Sequence, residues 1–588
     1  MVMLAVSLSI VPGIVRAATY IYDSGTNEVA SLLGSLAQGD EVKILNAGTR
    51  VISTASDDLV TKNDVSILID GGWLEETATQ AGRAGGLCNS LGVTGLSLDI
   101  VNGGTYHVTT PNRGFFKLGG TGSNIRVEGG SLLLSDITEY NWGSGFGNAK
   151  DCTIALTNAT MTAFVFRFGL DSKKATGCRL LVHDSTFSMN VPQATPQYTG
   201  RRYFEWRSGY SVSNEMVVSG SSVASGFSTF DMNGAWDLLR IQDTAKASPP
   251  VVMNGVSNRV EVLGGELSSG SCQVNGRYNR LLLSDGLLVT GNKGTLTMGG
   301  NGPNLIRQTG GTCSAPYGVT IGGFSNRYEF VDGTMDKSLT FSGTNGYFSI
   351  GAKRANGVLT FGAASKDCLC ELAAAWTNNA GQNAVVLGGT NNVFVLKDGT
   401  EYYTPGDGSV ISFAEKPNGR LVISNATYTM NGRVCVGSGN VDAFNWTNSP
   451  NAAIEFRGTN PLMRCVSTPN WKAWVLGTAS GQPLLDPVHF KFVIPEQGYA
   501  AAPMQNQVVN RTATLYGNTV FEIDGSAYKG TEPVPLFYTA GGWLDMSQTV
   551  VDQLNASAIL PPSWTLVWDK GKTIYAKPPP SGSVLTIR

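Results

Sequence analysis

The chain has 588 residues, 73 of them glycine, with 15% charged side chains and a formal net charge of −2. That near-neutral balance removes the electrostatic basis for binding nucleic acid or an anionic membrane, so neither partner is expected. Glycine, threonine, asparagine and serine interspersed among apolar residues, with few segments at a helical period, exclude a helical bundle and point to an all-β chain of short strands and turns.

In chain order, residues 1–17 read as a signal peptide. Residues 2–15 are mostly apolar, Val15-Arg16-Ala17 resembles a small-x-small cleavage site, and Pro12 together with the short length argues against a membrane-spanning helix. The expectation is an exported protein (extracellular, cell-surface or periplasmic) whose mature form begins near Ala18 and carries no membrane span. Residues 18–50 read as an N-terminal cap. Thr19–Tyr22 is a strand, residues 28–37 place Val29, Leu32, Leu33 and Leu36 at amphipathic-helix spacing behind an N-cap at Thr26 or Asn27, and a second strand follows Gly39-Asp40. Such a cap would cover apolar stacks and open strand edges at the end of a solenoid.

Residues 51–450 carry an internal repeat. A polar centre between two apolar residues recurs at 117, 141, 167, 205, 231, 252, 273, 297, 320, 340, 360, 386 and 412, about 25 residues apart. This period-two alternation predicts a strand that must stack, parallel and in register, on its own copy one coil away. A second strand in the same repeat follows an asparagine: Asn258 precedes Val260 and Val262, Asn279 precedes Leu281 and Leu283, Asn326 precedes Tyr328 and Phe330, and Asn392 precedes Phe394. Asparagine tolerates left-handed turns and can hydrogen-bond along a stacked column. The pattern resembles the right-handed parallel β-helix proteins of the pectin-lyase-like superfamily, of the exported bacterial surface type, over roughly residues 40–450. That resemblance implies architecture; the fold hosts unrelated functions.

Past 450 the repeat weakens among prolines. Residues 451–588 read as terminal coils followed by a C-terminal β cap or small sandwich, with strands at 489–494, 519–523, 564–568 and 573–576. Nine cysteines include Cys272 in the inward column and Cys152 and Cys178 one coil apart, close enough for a disulfide. Cys368-x-Cys370 lacks partners at zinc-ligand spacing, so no metal and no cofactor is assigned. The five sequons, at Asn158, Asn425, Asn445, Asn510 and Asn555, read as turn asparagines. Trp142 and Trp206 fall in the inward column and read as core.

Three dispersed histidines, His107, His183 and His489, argue against His-based catalysis. No nucleophile elbow or phosphate loop is present, nor are the Asp, Gly-His-Gly and Arg-x-Lys signatures of polygalacturonases of this fold or those of pectate lyases. One constellation stands out. In the outward column the later coils are bland, but the earlier ones carry Lys117, Asn141, Arg167, Glu205 and Asp231, flanked by Glu139, Tyr203 and Arg207. An insertion at 191–202, with Tyr198, Arg201 and Arg202, lies beside them. Together these predict one polar face over five coils, about 20 Å.

Three readings of that face are open. It is a cross-coil ion-pair ladder; or its Arg, Tyr and carboxylates bind glycan; or it is catalytic, with Glu205 and Asp231 as an acid/base pair or with Lys117 or Arg167 abstracting a proton beside a uronate. Scarce catalytic motifs and the long threonine surface favour a non-enzymatic structural or adhesive β-helix that contacts polysaccharide or surface glycan. The alternative is a polysaccharide lyase or glycoside hydrolase working on the 117–231 face.

Overall fold

The computed structural model describes residues 17–580, except 55–57, 78–83, 87–90, 111–114, 138–142, 190–201, 292–293, 336–338, 351–354, 357–358, 378–382, 406–409, 413–416, 432–433, 437–450, 468–471, 477–488, 516–518 and 545. The expected signal peptide, with its cleavage site, lies almost wholly outside these residues. The chain divides into two units, Met1–Thr295 and Leu296–Arg588. Each is an all-β solenoid of stacked parallel coils.

One coil illustrates the first unit. Its three strands are Arg259–Leu263, Glu266–Ser269 and Cys272–Val274, contributing to the first, second and third sheets respectively. Val260, Val262, Leu267, Cys272 and Val274 point inward and are buried. The next coil repeats them in register, with Val260 opposite Leu281 and Leu267 opposite Leu288. Alternation sets the faces; stacking each apolar residue on its counterpart gives a continuous core.

The asparagine column is buried, and its hydrogen bonds differ from the side-chain stack expected. Asn279 Oδ1 accepts the backbone N–H of Asn258 at 2.8 Å, and Asn258 Oδ1 accepts that of Asp237 at 3.0 Å. Asp237 Oδ1 accepts from Asn214 N, and Asn214 Oδ1 from Cys178 N. The amide of Asn258 donates to the carbonyls of Met232 and Gly234. Each asparagine thus satisfies a corner where strand pairing lapses, as buried backbone groups require. Stacking between side chains does occur at an exposed corner of the second unit, where Asn391 bonds Asp367, Asn418 bonds Asn391 and Asn451 bonds Asn418.

At the N-terminus, Thr19–Tyr22 and Thr26–Val29 pair in register with Glu41–Leu45 and Arg50–Ser53, so the cap region is itself a coil. The helix expected over 28–37 is narrower: Thr26–Val29 is held as a strand by its neighbour, and one 3-10 turn at Leu33–Ser35 buries Leu33. In the second unit parallel coils run beyond 450, since His489–Val493 pairs with both Ala453–Arg457 and Val520–Asp524. A helix absent from the sequence reading, Gln548–Ser557, is capped by the Ser547 side chain. The antiparallel pair Thr565–Trp568 and Thr573–Lys577 then closes against Val534–Thr539.

Seven cysteines, 152, 178, 272, 313, 368, 370 and 465, are buried thiols. The disulfide considered between Cys152 and Cys178 is therefore not formed, although the two occupy equivalent places on adjacent coils. Asn158 and Asn425 adopt left-handed turns as expected of turn asparagines, whereas Asn555 lies in the C-terminal helix.

Candidate functional site

The third sheet of the first unit brings part of the expected face together. Arg167, Glu205 and Asp231 are direct register partners on consecutive coils, on strands Phe166–Phe168, Tyr203–Trp206 and Thr229–Met232. Arg167 Nε donates to Glu205 Oε2 at 3.0 Å. Its guanidinium lies 4.9 Å from the Tyr203 ring centroid and also donates to the Tyr203 hydroxyl. Thr229 Oγ1 donates to Asp231 Oδ2 at 3.3 Å. Burial pushes the Asp231 carboxyl above its usual range, and the Glu205 charge adds to the rise.

The strands are held from behind by stacked rings. Phe204 and Phe230 are 4.5 Å apart and nearly parallel, and Phe168 stacks on Trp206 at 5.5 Å. Trp206 is core, as the alternation predicts. This aromatic column fixes the strand positions to which the polar face is anchored.

Other expected members separate from the cluster. The outward column runs Lys117, Gly145, Arg167, so Gly145 stands where Asn141 was expected. Gly143 likewise takes the place of Glu139 opposite Phe115. Glu139, Asn141, Trp142, Tyr198 and Arg201 lie outside the described residues. Lys117 is 0% exposed, with its Cε beside Gly147, so it is no part of an open face. Glycine is required at 145 because a Cβ there would lie 1.9 Å from the Arg167 carbonyl oxygen. Arg207 turns toward the Tyr210 ring, 5.4 Å from its centroid. The polar face is thus three coils deep, about 10 Å.

The extended ion-pair ladder lies on a different sheet. On the first sheet of the first unit, Glu215 contacts Arg179 at 3.6 Å and Arg240 at 3.7 Å, and Glu261 contacts Arg240 at 2.7 Å and Arg259 at 3.0 Å. In the second unit, the outer side of the first sheet forms an open groove of about 670 Å³ with Val393, Val395 and Val422 at its floor and Lys397, Arg420 and Arg457 around it. Sequence reading missed this groove because its residues come from several coils with unequal loops. Its cations are already matched: Lys397 with Glu371, and Arg420 and Arg457 both with buried Glu455.

One arrangement has the composition of a hydrolytic triad. His183 Nδ1 lies 3.1 Å from Ser219 Oγ, and its Nε2 lies 3.1 Å from Asp184 Oδ2. The dispersion of histidines in sequence concealed it, because register places His183 opposite Ser219. Catalysis also needs donors aimed at a developing oxyanion. Beside Ser219, the Gly220 N–H is bound to Asp243 and the Ser221 N–H to Asp184. The Ser221 N–H and hydroxyl, both bound to Asp184, depress its carboxyl, and with the Gly220 bond they define a closed turn. Among the described residues, no group of three or more His, Cys, Asp or Glu is placed to hold a metal ion. No family model, curated protein or solved structure matches this chain.

Proposed function

We propose that the chain is an exported, non-enzymatic β-helix protein of the pectin-lyase-like type. In this reading it acts outside the cytoplasm or at the cell surface as a structural or adhesive protein that contacts glycans. The observation that carries it is the Arg167–Tyr203–Glu205–Asp231 cluster, a compact polar patch on an otherwise bland sheet. Its guanidinium is oriented by Glu205 and packed on Tyr203, an arrangement suited to hydroxyl or carboxylate recognition. The buried state of every described thiol is compatible with an oxidising compartment.

One observation favours the enzymatic alternative. Asp231, whose carboxyl is raised by burial, is the register partner of Glu205 on the adjacent coil, so two carboxyl groups stand side by side as an acid/base pair requires. The test is depletion binding and product release over acidic and neutral polysaccharides, with a Glu205→Ala/Asp231→Ala double variant alongside. Retention without products, weakened in the variant, is the expected result. Reducing ends or unsaturated products lost in the variant would replace the proposal with a hydrolase or lyase. Neither retention nor products would leave the cluster a purely structural ion pair.

A further inference from the structure

Two aromatic residues in the first unit occupy a backbone conformation that costs them energy. Trp236 and Tyr278 have φ of 63° and 59°, and they are the only aromatic residues among the described non-glycine positions with positive φ. Bulky side chains seldom adopt this region, and such strain persists where the surroundings impose it, often at functional sites. The same corner carries Ser213 and Ser257 on neighbouring coils. Corners of the second unit use Ser325, Asn345, Asp367 and Asn391. Small polar residues therefore satisfy the corner, and nothing in its backbone geometry calls for an indole or a phenol.

Both rings face solvent: Trp236 is 64% exposed and Tyr278 57%. Neither enters a ring stack with another part of the described protein, so core packing does not account for them. The corner beneath is rigid. Trp236 N donates to Val256 O at 3.0 Å, Ser257 N to Arg277 O at 2.8 Å, and the buried amides of Asn258 and Asn279 hold the carbonyls of Gly234 and Gly255. Trp236 and Tyr278 stand in one column with Ser257 between them, two coils or about 10 Å apart. That spacing is the length of one disaccharide in an extended β-linked polysaccharide, in which every second sugar presents the same face. Three residues before Tyr278, Asn275 Nδ2 donates to Asn254 Oδ1 of the preceding coil at 3.2 Å, an exposed pair of amides able to bond hydroxyls.

We infer that Trp236 and Tyr278 form a two-ring platform for a neutral, extended β-linked glycan lying parallel to the stacking direction of the coils. The inference deepens the glycan-contact reading but uses a surface separate from the Arg167 cluster. Stacking on the apolar faces of alternate sugars supplies the affinity, and the rigid corner removes the ordering cost of positioning the rings.

The test uses the full chain against a β-1,4-linked ribbon polymer such as cellulose or chitin, with an α-linked helical glucan as comparison. Trp236→Asn and Tyr278→Asn are the variants, because asparagine is favoured at left-handed corners and the thermal midpoint should hold or rise. Each is expected to weaken retention on the ribbon by on the order of tenfold, with Trp236→Phe retaining most of it. Undiminished retention in the double variant, equal retention on the helical glucan, or no retention of the unmodified protein on any ribbon would overturn the platform. The Glu205→Ala/Asp231→Ala variant separates the two readings. Ribbon binding lost only in the corner variants supports the platform even if the Arg167 face contacts no glycan, while binding lost only in the face variant removes the platform and leaves that face.

Discussion

Asp237 is the residue at which the local rule of this fold is broken. It holds a place that Asn214, Asn258 and Asn279 hold on nearby coils, and it is 0% exposed. Burial, acting against hydrogen bonds from Asn214 and Ser211, pushes its carboxyl from 3.8 to about 7. A carboxyl raised in the folded state contributes stability that is fully present below its unfolded pKa and lost as pH rises toward the folded one. Between 3.8 and about 7 the loss amounts to about 4 kcal/mol. Asp237→Asn should abolish this component and raise the urea midpoint at pH 8 while changing it little at pH 4. Parallel pH profiles for the two proteins would refute the assignment. Gly145 sets a second residue-scale limit. Gly145→Ala drives a Cβ into the Arg167 carbonyl and should cost about 3 kcal/mol or more, seen as a large fall in thermal midpoint.

Between coils, two asparagine columns with the same composition differ in energetic weight. Asn258 makes buried bonds to backbone groups of neighbouring coils, so Asn258→Ala leaves a donor and carbonyls unpaired at about 2–4 kcal/mol. Asn391 and Asn418 bond to each other in water-exposed positions, and Asn391→Gly, which keeps the left-handed corner unstrained, should cost below about 1 kcal/mol. Comparable losses in urea unfolding would contradict this distinction. The same contrast applies to the charged ladders. Arg240 and Glu261 form a half-buried part of a five-member network, whereas pairs such as Lys529 with Glu496 are solvated and contribute little.

At the scale of the whole chain, parallel stacking leaves an open edge wherever coils stop. The helix Gln548–Ser557 and the antiparallel strands ending at Lys577 occupy that edge in the second unit. Truncation after Leu544 should expose Val534–Thr539 and produce concentration-dependent association in light scattering. A monomer of unchanged thermal midpoint would show that the edge needs no cover.

The coil itself was legible in the sequence because its determinants are local: alternation sets the inward face, and a turn-tolerant residue at a fixed offset sets the corner. Residues 205, 231, 252 and 273 in the first unit, and 297, 320, 340 and 360 in the second, stack as their spacing indicates. Register around 141 was not legible, since Tyr140-Asn141-Trp142 has the same apolar-polar-apolar form as a true strand centre while Gly145 has no side chain to mark it. The sequence by itself thus determined the repeating parallel strand and its buried column. Only the tertiary structure decided which polar residues share a face, because partners such as Arg167 and Glu205 are joined by loops of unequal length and meet through backbone pairing between coils. That pairing also buried Lys117, divided the ion-pair ladder from the Arg167 cluster, and left Trp236 and Tyr278 facing solvent on one corner.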